Sequence, residues 1–107
     1  MIAVLFEADA LPESQERYLQ LASELQPLLS DTPGFISIER FQSLTTPGKI
    51  LSLSWWKDEE SVDGWKRNIM HQAAQKEGRQ SIFSFYRIRV ASVFRDYSSD
   101  KGTNQHV

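Results

Sequence analysis

Residues Ser54–Tyr97, SWWKDEESVDGWKRNIMHQAAQKEGRQSIFSFYRIRVASVFRDY, carry the reading that decides the fold. An aromatic-ended strand runs into a helical segment, which runs into a strand alternating arginine with apolar residues. Asp58 is a candidate helix N-cap, with Glu59 and Glu60 in the first turn, where the helix dipole favours negative charge. Val62, Trp65, Ile69 and Ala73 form an apolar stripe at helical spacing, so one helix is expected from Asp58 to a stop at Gly78. A long last strand is expected over Phe83–Tyr97. Tyr86, Ile88, Val90 and Phe94 fall on one of its faces, and Phe85, Arg87, Arg89, Ala91 and Val93 on the other.

Upstream, Ile2–Ala10 alternates as a first strand. Leu11-Pro12-Glu13-Ser14 interrupts it, and Ser14 is a candidate helix start. Tyr18, Leu21, Ala22, Leu25, Leu28 and Leu29 then mark the apolar face of a helix. Pro27 lies inside that pattern, so a kink or early loosening is expected. Asp31-Thr32-Pro33-Gly34 ends the helix in a turn. Phe35–Phe41 and Ile50–Trp56 read as an antiparallel hairpin around Thr46-Pro47-Gly48. The polar segment Ser98–Val107 is expected to be a disordered tail.

The order strand, helix, strand, strand, helix, strand implies an α+β, ferredoxin-like βαββαβ fold, with both helices on one face of a four-stranded antiparallel sheet. A sheet face left to water should alternate with polar residues, yet several strands here are apolar on both sides. A second subunit is therefore expected on the open face, giving a homodimer that packs sheet on sheet as a dimeric α+β barrel.

Composition bounds the chemistry. With 107 residues, 40% hydrophobic and 24% charged, the chain is a single globular domain by expectation. Its formal net charge of −2 disfavours nucleic acid as a partner. With no cysteine there is no disulfide, thiolate nucleophile or cysteine-bound metal. No apolar run approaches a membrane span and no signal peptide is evident, so the expectation is a cytoplasmic protein. No phosphate loop, nucleophile elbow or metal-spaced histidine and carboxylate set occurs, so the expected metal count is none.

His71 is the one histidine in the expected domain, His106 lying in the tail, and its side chain exchanges protons most readily near neutral pH. On a continuous helix it lies about 240° around the axis from Trp65. Asn68 and Gln75 flank it at the margin of the apolar stripe. The alternative for His71 is a local hydrogen bond at the surface, and for Trp65 a place in the core. Trp55 and Trp56 must face opposite sides of their strand, one toward the helices and one toward the dimer interface. Arg87, Arg89 and Arg95 share a strand face, where Glu39 is a candidate ion-pair partner; they suit an interface salt-bridge network or recognition of an anionic group. Glu7 is a weaker acid–base candidate.

Pro33-Gly34-Phe35, Ser54-Trp55-Trp56, Trp65 with His71-Gln72-Ala73-Ala74-Gln75, and Tyr86-Arg87-Ile88-Arg89-Val90 together resemble the antibiotic biosynthesis monooxygenase family over residues 1–97. The resemblance implies a dimeric α+β barrel with a pocket between helices and sheet. It implies a monooxygenase that oxidises an aromatic or quinone-related small molecule with dioxygen and no cofactor. His71 and Trp65 would then be catalytic, with Asn68, Trp55, Trp56 and Arg87 as substrate-binding residues. The family also includes haem-degrading members, which use an asparagine on the first strand and a longer Trp–His interval than the one from Trp65 to His71; here Glu7 holds the nearest strand position. Haem is thus the alternative cofactor and substrate. A non-catalytic dimeric barrel that binds small molecules or serves in a stress response is a third reading.

Overall fold

Strand β1 (Ile2–Ala10) is followed by helix α1 (Gln15–Ser30), the hairpin β2 (Phe35–Gln42) and β3 (Lys49–Trp56), helices α2 (Glu59–Lys66) and α3 (Ile69–Glu77), and strand β4 (Phe83–Ser92). This computed structural model describes residues 1–99, so most of the expected tail, with His106, lies outside the described residues. The four strands form one antiparallel sheet in the order β2-β3-β1-β4. The expected ferredoxin-like α+β fold is present. Among the described residues no helix is long and apolar enough to cross a membrane.

The pairing register aligns side-chain parity across the sheet. Val4 lies opposite Ser54 on one side and Val90 on the other, and Ser54 in turn lies opposite Ile38. Even-numbered residues of these strands therefore face the helices and odd-numbered ones form the open face, except at Phe35 and Phe83, where a register shift turns an odd residue to the helix side. Leu29, Trp56 and Trp65 make the buried centre of the helix-side core, with Val4, Leu25, Ile38 and Val62 packed around them. Trp56 is only 1% exposed, and its Nε1–H donates to Ser54 Oγ at 2.9 Å. That bond meets the indole's one polar demand inside an apolar core.

Several local expectations are corrected. The helix expected from Asp58 to Gly78 is broken: α2 ends at Lys66, and Asn68 is extended at ψ 128° before α3 begins. Asn68 is the cause, since asparagine is a strong N-cap and its Oδ1 accepts from the backbone N–H groups of Met70 (2.8 Å) and His71 (3.2 Å). Gly78 does not end a helix in the left-handed conformation; it sits at φ −57° and opens a single π-helical turn, Gly78–Ile82. A Cβ there would come within 2.8 Å of the Phe83 ring, so close packing is what requires glycine. The last strand stops at Ser92, which leaves Phe94 and Arg95 beyond it. Helix α1 continues through Pro27 to Ser30 without early loosening. Ser14 does precede α1, but its hydroxyl donates to the Ser81 carbonyl at 3.0 Å and caps nothing.

Asp58 does cap α2, accepting from Ser61 N–H (2.9 Å) and Ser61 Oγ–H (2.6 Å). Gly34 packs against the same serine at φ +85°, and a Cβ on it would fall 1.8 Å from Ser61 Oγ. The turn after α1 thus touches the start of α2, and Lys57 N–H donates to Gly34 O at 2.8 Å. Only glycine meets both the backbone angle and the contact.

Candidate active site

A cleft of about 530 Å³ lies between the helices and the even-numbered face of the sheet. Its walls include Tyr18 and Leu25 of α1, Trp65 of α2, His71 and Gln75 of α3, and residues from all four strands. Mostly apolar walls with a few convergent polar groups are the usual make-up of a small-molecule site.

The break at Asn68 produces the central pair of this cleft. A continuous helix would point Trp65 and His71 in divergent directions. Re-initiation at Asn68 turns α3 so that the imidazole lies 4.7 Å from the indole, ring centre to ring centre, at 51°. Burial drives the His71 pKa down from 6.5 to about 4. Removing an imidazolium from water costs free energy, and no counter-charge is among the causes of the shift. At neutral pH the ring is neutral, able to donate from one nitrogen and accept at the other.

The remaining predicted site residues separate by face. Trp56 lines the cleft, as its even position requires, while Trp55 and Arg87 lie on the opposite side of the sheet. Asn68 borders a separate shallow groove beside Gly34 and Asp58, and its side chain is occupied in capping. The open face holds the ion-pair network, but with a different acid from the one expected. Glu7, not Glu39, pairs with Lys49 (2.8 Å) and Arg89 (3.4 Å). The hydrogen bond from Lys49, together with the nearby arginines, holds the Glu7 carboxyl below its ordinary pKa. Glu7 is thus an ionised structural partner on the face away from the cleft.

The sequence reading overlooked Tyr18, Arg40, Gln75 and Arg79 as cleft residues. Strand parity was the available signal for Arg40, which shares a face with Ile38. Tyr18 was visible only as part of an apolar stripe. Across the helix pair, Arg17 Nη2–H donates to Glu77 Oε1 at 2.8 Å, tying α1 to α3, and that arginine keeps Glu77 ionised below the usual carboxylate range. Among the described residues no three His, Asp or Glu side chains converge as a metal site.

The chain is 40% identical over 101 residues to a jasmonate monooxygenase of Pyricularia oryzae, a match covering 94% of this chain and 47% of that protein. It therefore spans about half the length of that relative. It is 29% identical over 102 residues to YqjZ of Bacillus subtilis, covering 95% of this chain and 87% of that one. Solved structures from Mycobacterium tuberculosis (TM-score 0.79, 11% identity, 91% and 98% of the two chains) and Methanosarcina mazei (TM-score 0.77, 22% identity, 84% and 89%) share the fold. The profile of the antibiotic biosynthesis monooxygenase family matches residues 1–77, a span that contains both Trp65 and His71. The chain belongs to the antibiotic biosynthesis monooxygenase family.

Proposed function

We propose that the cleft oxidises an aromatic or quinone-related small molecule with dioxygen, using the substrate as its own reductant. The observation that carries this reading is the Trp65–His71 pair set into a mostly apolar cleft of about 530 Å³, large enough for a fused-ring substrate. Converting an activated methylene to a carbonyl releases four electrons. Dioxygen takes all four, one oxygen atom entering the product and the other leaving as water, so no further reductant is needed. The protein's part is to place the substrate and to handle protons.

Within that scheme Trp65 forms a stacking wall. A histidine held near pKa 4 is a weak base at pH 7. His71 therefore acts mainly as a hydrogen-bond donor, its neutral ring N–H directed at the substrate oxygen, favouring the electron-rich anion from which oxygen takes electrons while the hydroxyl proton passes to water. The family membership and the monooxygenase name of the Pyricularia relative support the reaction class. The test is oxygen uptake with anthrone, a naphthoquinol and, from the name of that relative, jasmonate. Turnover of at least one, reduced about ten- to a hundredfold in His71→Ala, is expected. No acceleration over the buffer rate by the wild type, or an undiminished rate in the variant, would sink the mechanism.

We also infer that two copies pair through the open sheet face as a dimeric barrel. Leu5, Leu51, Leu53, Trp55, Phe41 and Phe85 lie there among the Glu7 ion pairs, and Phe41 and Phe85 are each over 40% exposed in the single chain. Large aromatics on a sheet face favour a partner over water. Sedimentation equilibrium should give twice the chain mass, with Leu53→Lys shifting it toward the monomer. A wild-type monomer at micromolar concentration would refute the pairing.

A further inference from the structure

Arg40 is the one strongly basic side chain on the helix-side face of the sheet, and it lines the cleft from edge strand β2. Its Nε is buried with no hydrogen-bond partner among the described residues, and no carboxylate pairs with its guanidinium there. A half-buried cation without a counter-charge is costly, and an anionic ligand in the cleft would relieve that cost through the terminal Nη groups. The charge pattern of the cleft points the same way. The chain carries 14 acidic residues and a net charge of −2, yet among the described residues no Asp or Glu side chain lines the cleft. Its charged lining is Arg40, Lys66 and Arg79, all cationic, and Lys66 and Arg79 are exposed where Arg40 is half-buried. A cleft with apolar walls and one sign of charge focuses its field on ligands of the opposite sign.

We infer that Arg40 anchors a carboxylate borne by an otherwise apolar ligand, through the forked guanidinium contact that a planar carboxylate matches. The apolar walls then hold the ring system against Trp65, and Arg40 sets which end of the molecule enters first. The inference rests on the cleft being the substrate site, and it narrows the substrate class to carboxylate-bearing molecules. Guanidinium–carboxylate contacts are both stronger and more directional than neutral hydrogen bonds. The partly buried position of Arg40 protects the pairing from salt screening more than the rim charges are protected.

The experiment is direct binding of 1-naphthaleneacetate and its neutral counterpart 1-naphthaleneacetamide, read by quenching of tryptophan fluorescence. The wild type should prefer the carboxylate by about tenfold or more. The preference should persist at roughly 0.5 M salt, where the contribution of exposed rim charges is screened. Arg40→Gln should erase it while leaving amide affinity in place, which also reports that the variant is folded; Arg40→Lys should retain part of it. Absence of carboxylate binding, equal affinity for the two probes, a preference lost in salt, or one that survives Arg40→Gln each overturns the assignment. Because binding is read without oxygen, a carboxylate preference that depends on Arg40 upholds the anchor even where no substrate is oxidised.

Discussion

Trp56→Ala lowers the free energy of unfolding by about 3–5 kcal/mol, the largest loss expected from any single truncation in this chain. The residue is 1% exposed and clusters with Leu29 and Trp65 in the buried centre. Phe35 meets its ring edge-on, with ring centres 5.3 Å apart. A domain of this size has roughly 5–10 kcal/mol in total, so the variant should be only marginally folded. Part of the void merges with the cleft, where water can enter, and this holds the loss below that of a sealed cavity. Trp56→Phe should recover most of the stability. Ser54→Ala isolates the polar component, since it strands the indole N–H at a cost of about 1–3 kcal/mol. Urea titration checks all three through the midpoint at constant slope. A shift under 1 kcal/mol for Trp56→Ala would mean that this tryptophan is not the keystone of the core.

Acid destabilises the protein through His71 before its carboxylates titrate. Burial holds the folded-state pKa at about 4, against an ordinary value of 6.5. As pH falls from 6.5 toward 4, the unfolded chain takes up a proton that the folded chain refuses, so stability drops across that window and the loss is complete below about pH 4. The full difference corresponds to about 3 kcal/mol at most, less whatever cleft water restores to the half-buried ring. The folded-state pKa values of Glu7, Asp58 and Glu77 are also lowered, by Lys49, Ser61 and Arg17 respectively, and they remove further stability as pH falls through the carboxylate range. Those groups are common to the wild type and His71→Gln. Subtracting one unfolding curve from the other at each pH therefore isolates the histidine. The wild type should lose more stability than His71→Gln between pH 6.5 and 4, with the two curves parallel above pH 7.5. Parallel curves throughout would show that His71 is not held neutral by burial.

The legible features were those governed by local periodicity. Strand β1 runs over Ile2–Ala10 as its alternation implies, and the α1 face from Tyr18 to Leu29 packs toward the sheet. That Trp55 and Trp56 oppose each other follows from the pleat alone, as does the shared face of Tyr86, Ile88 and Val90. Parity cannot say which face meets the helices, because that depends on how the whole sheet packs. Once it does, Trp56 enters the core and cleft, while Trp55 and Arg87 go to the far side.

The Trp65–His71 pair shows the same division inside one segment. Val62, Trp65, Ile69 and Ala73 keep a helical period through the break, so periodicity alone predicts one rod. Asn68 offers its side chain to the next turn, and the chain re-starts at a new angle because a cap there satisfies two backbone N–H groups. Arg40 was likewise legible as a residue on the face of Ile38, but the burial of its Nε without a partner among the described residues arises from which strands and helices surround it. The amino-acid order alone settled the α+β topology, the alternation of each strand and the residue types available for chemistry, since each depends on neighbours a few positions away. Packing over long sequence separations settled which face became the cleft, how the imidazole reached the indole and why it is neutral, since burial and charge belong to groups brought together by the whole fold.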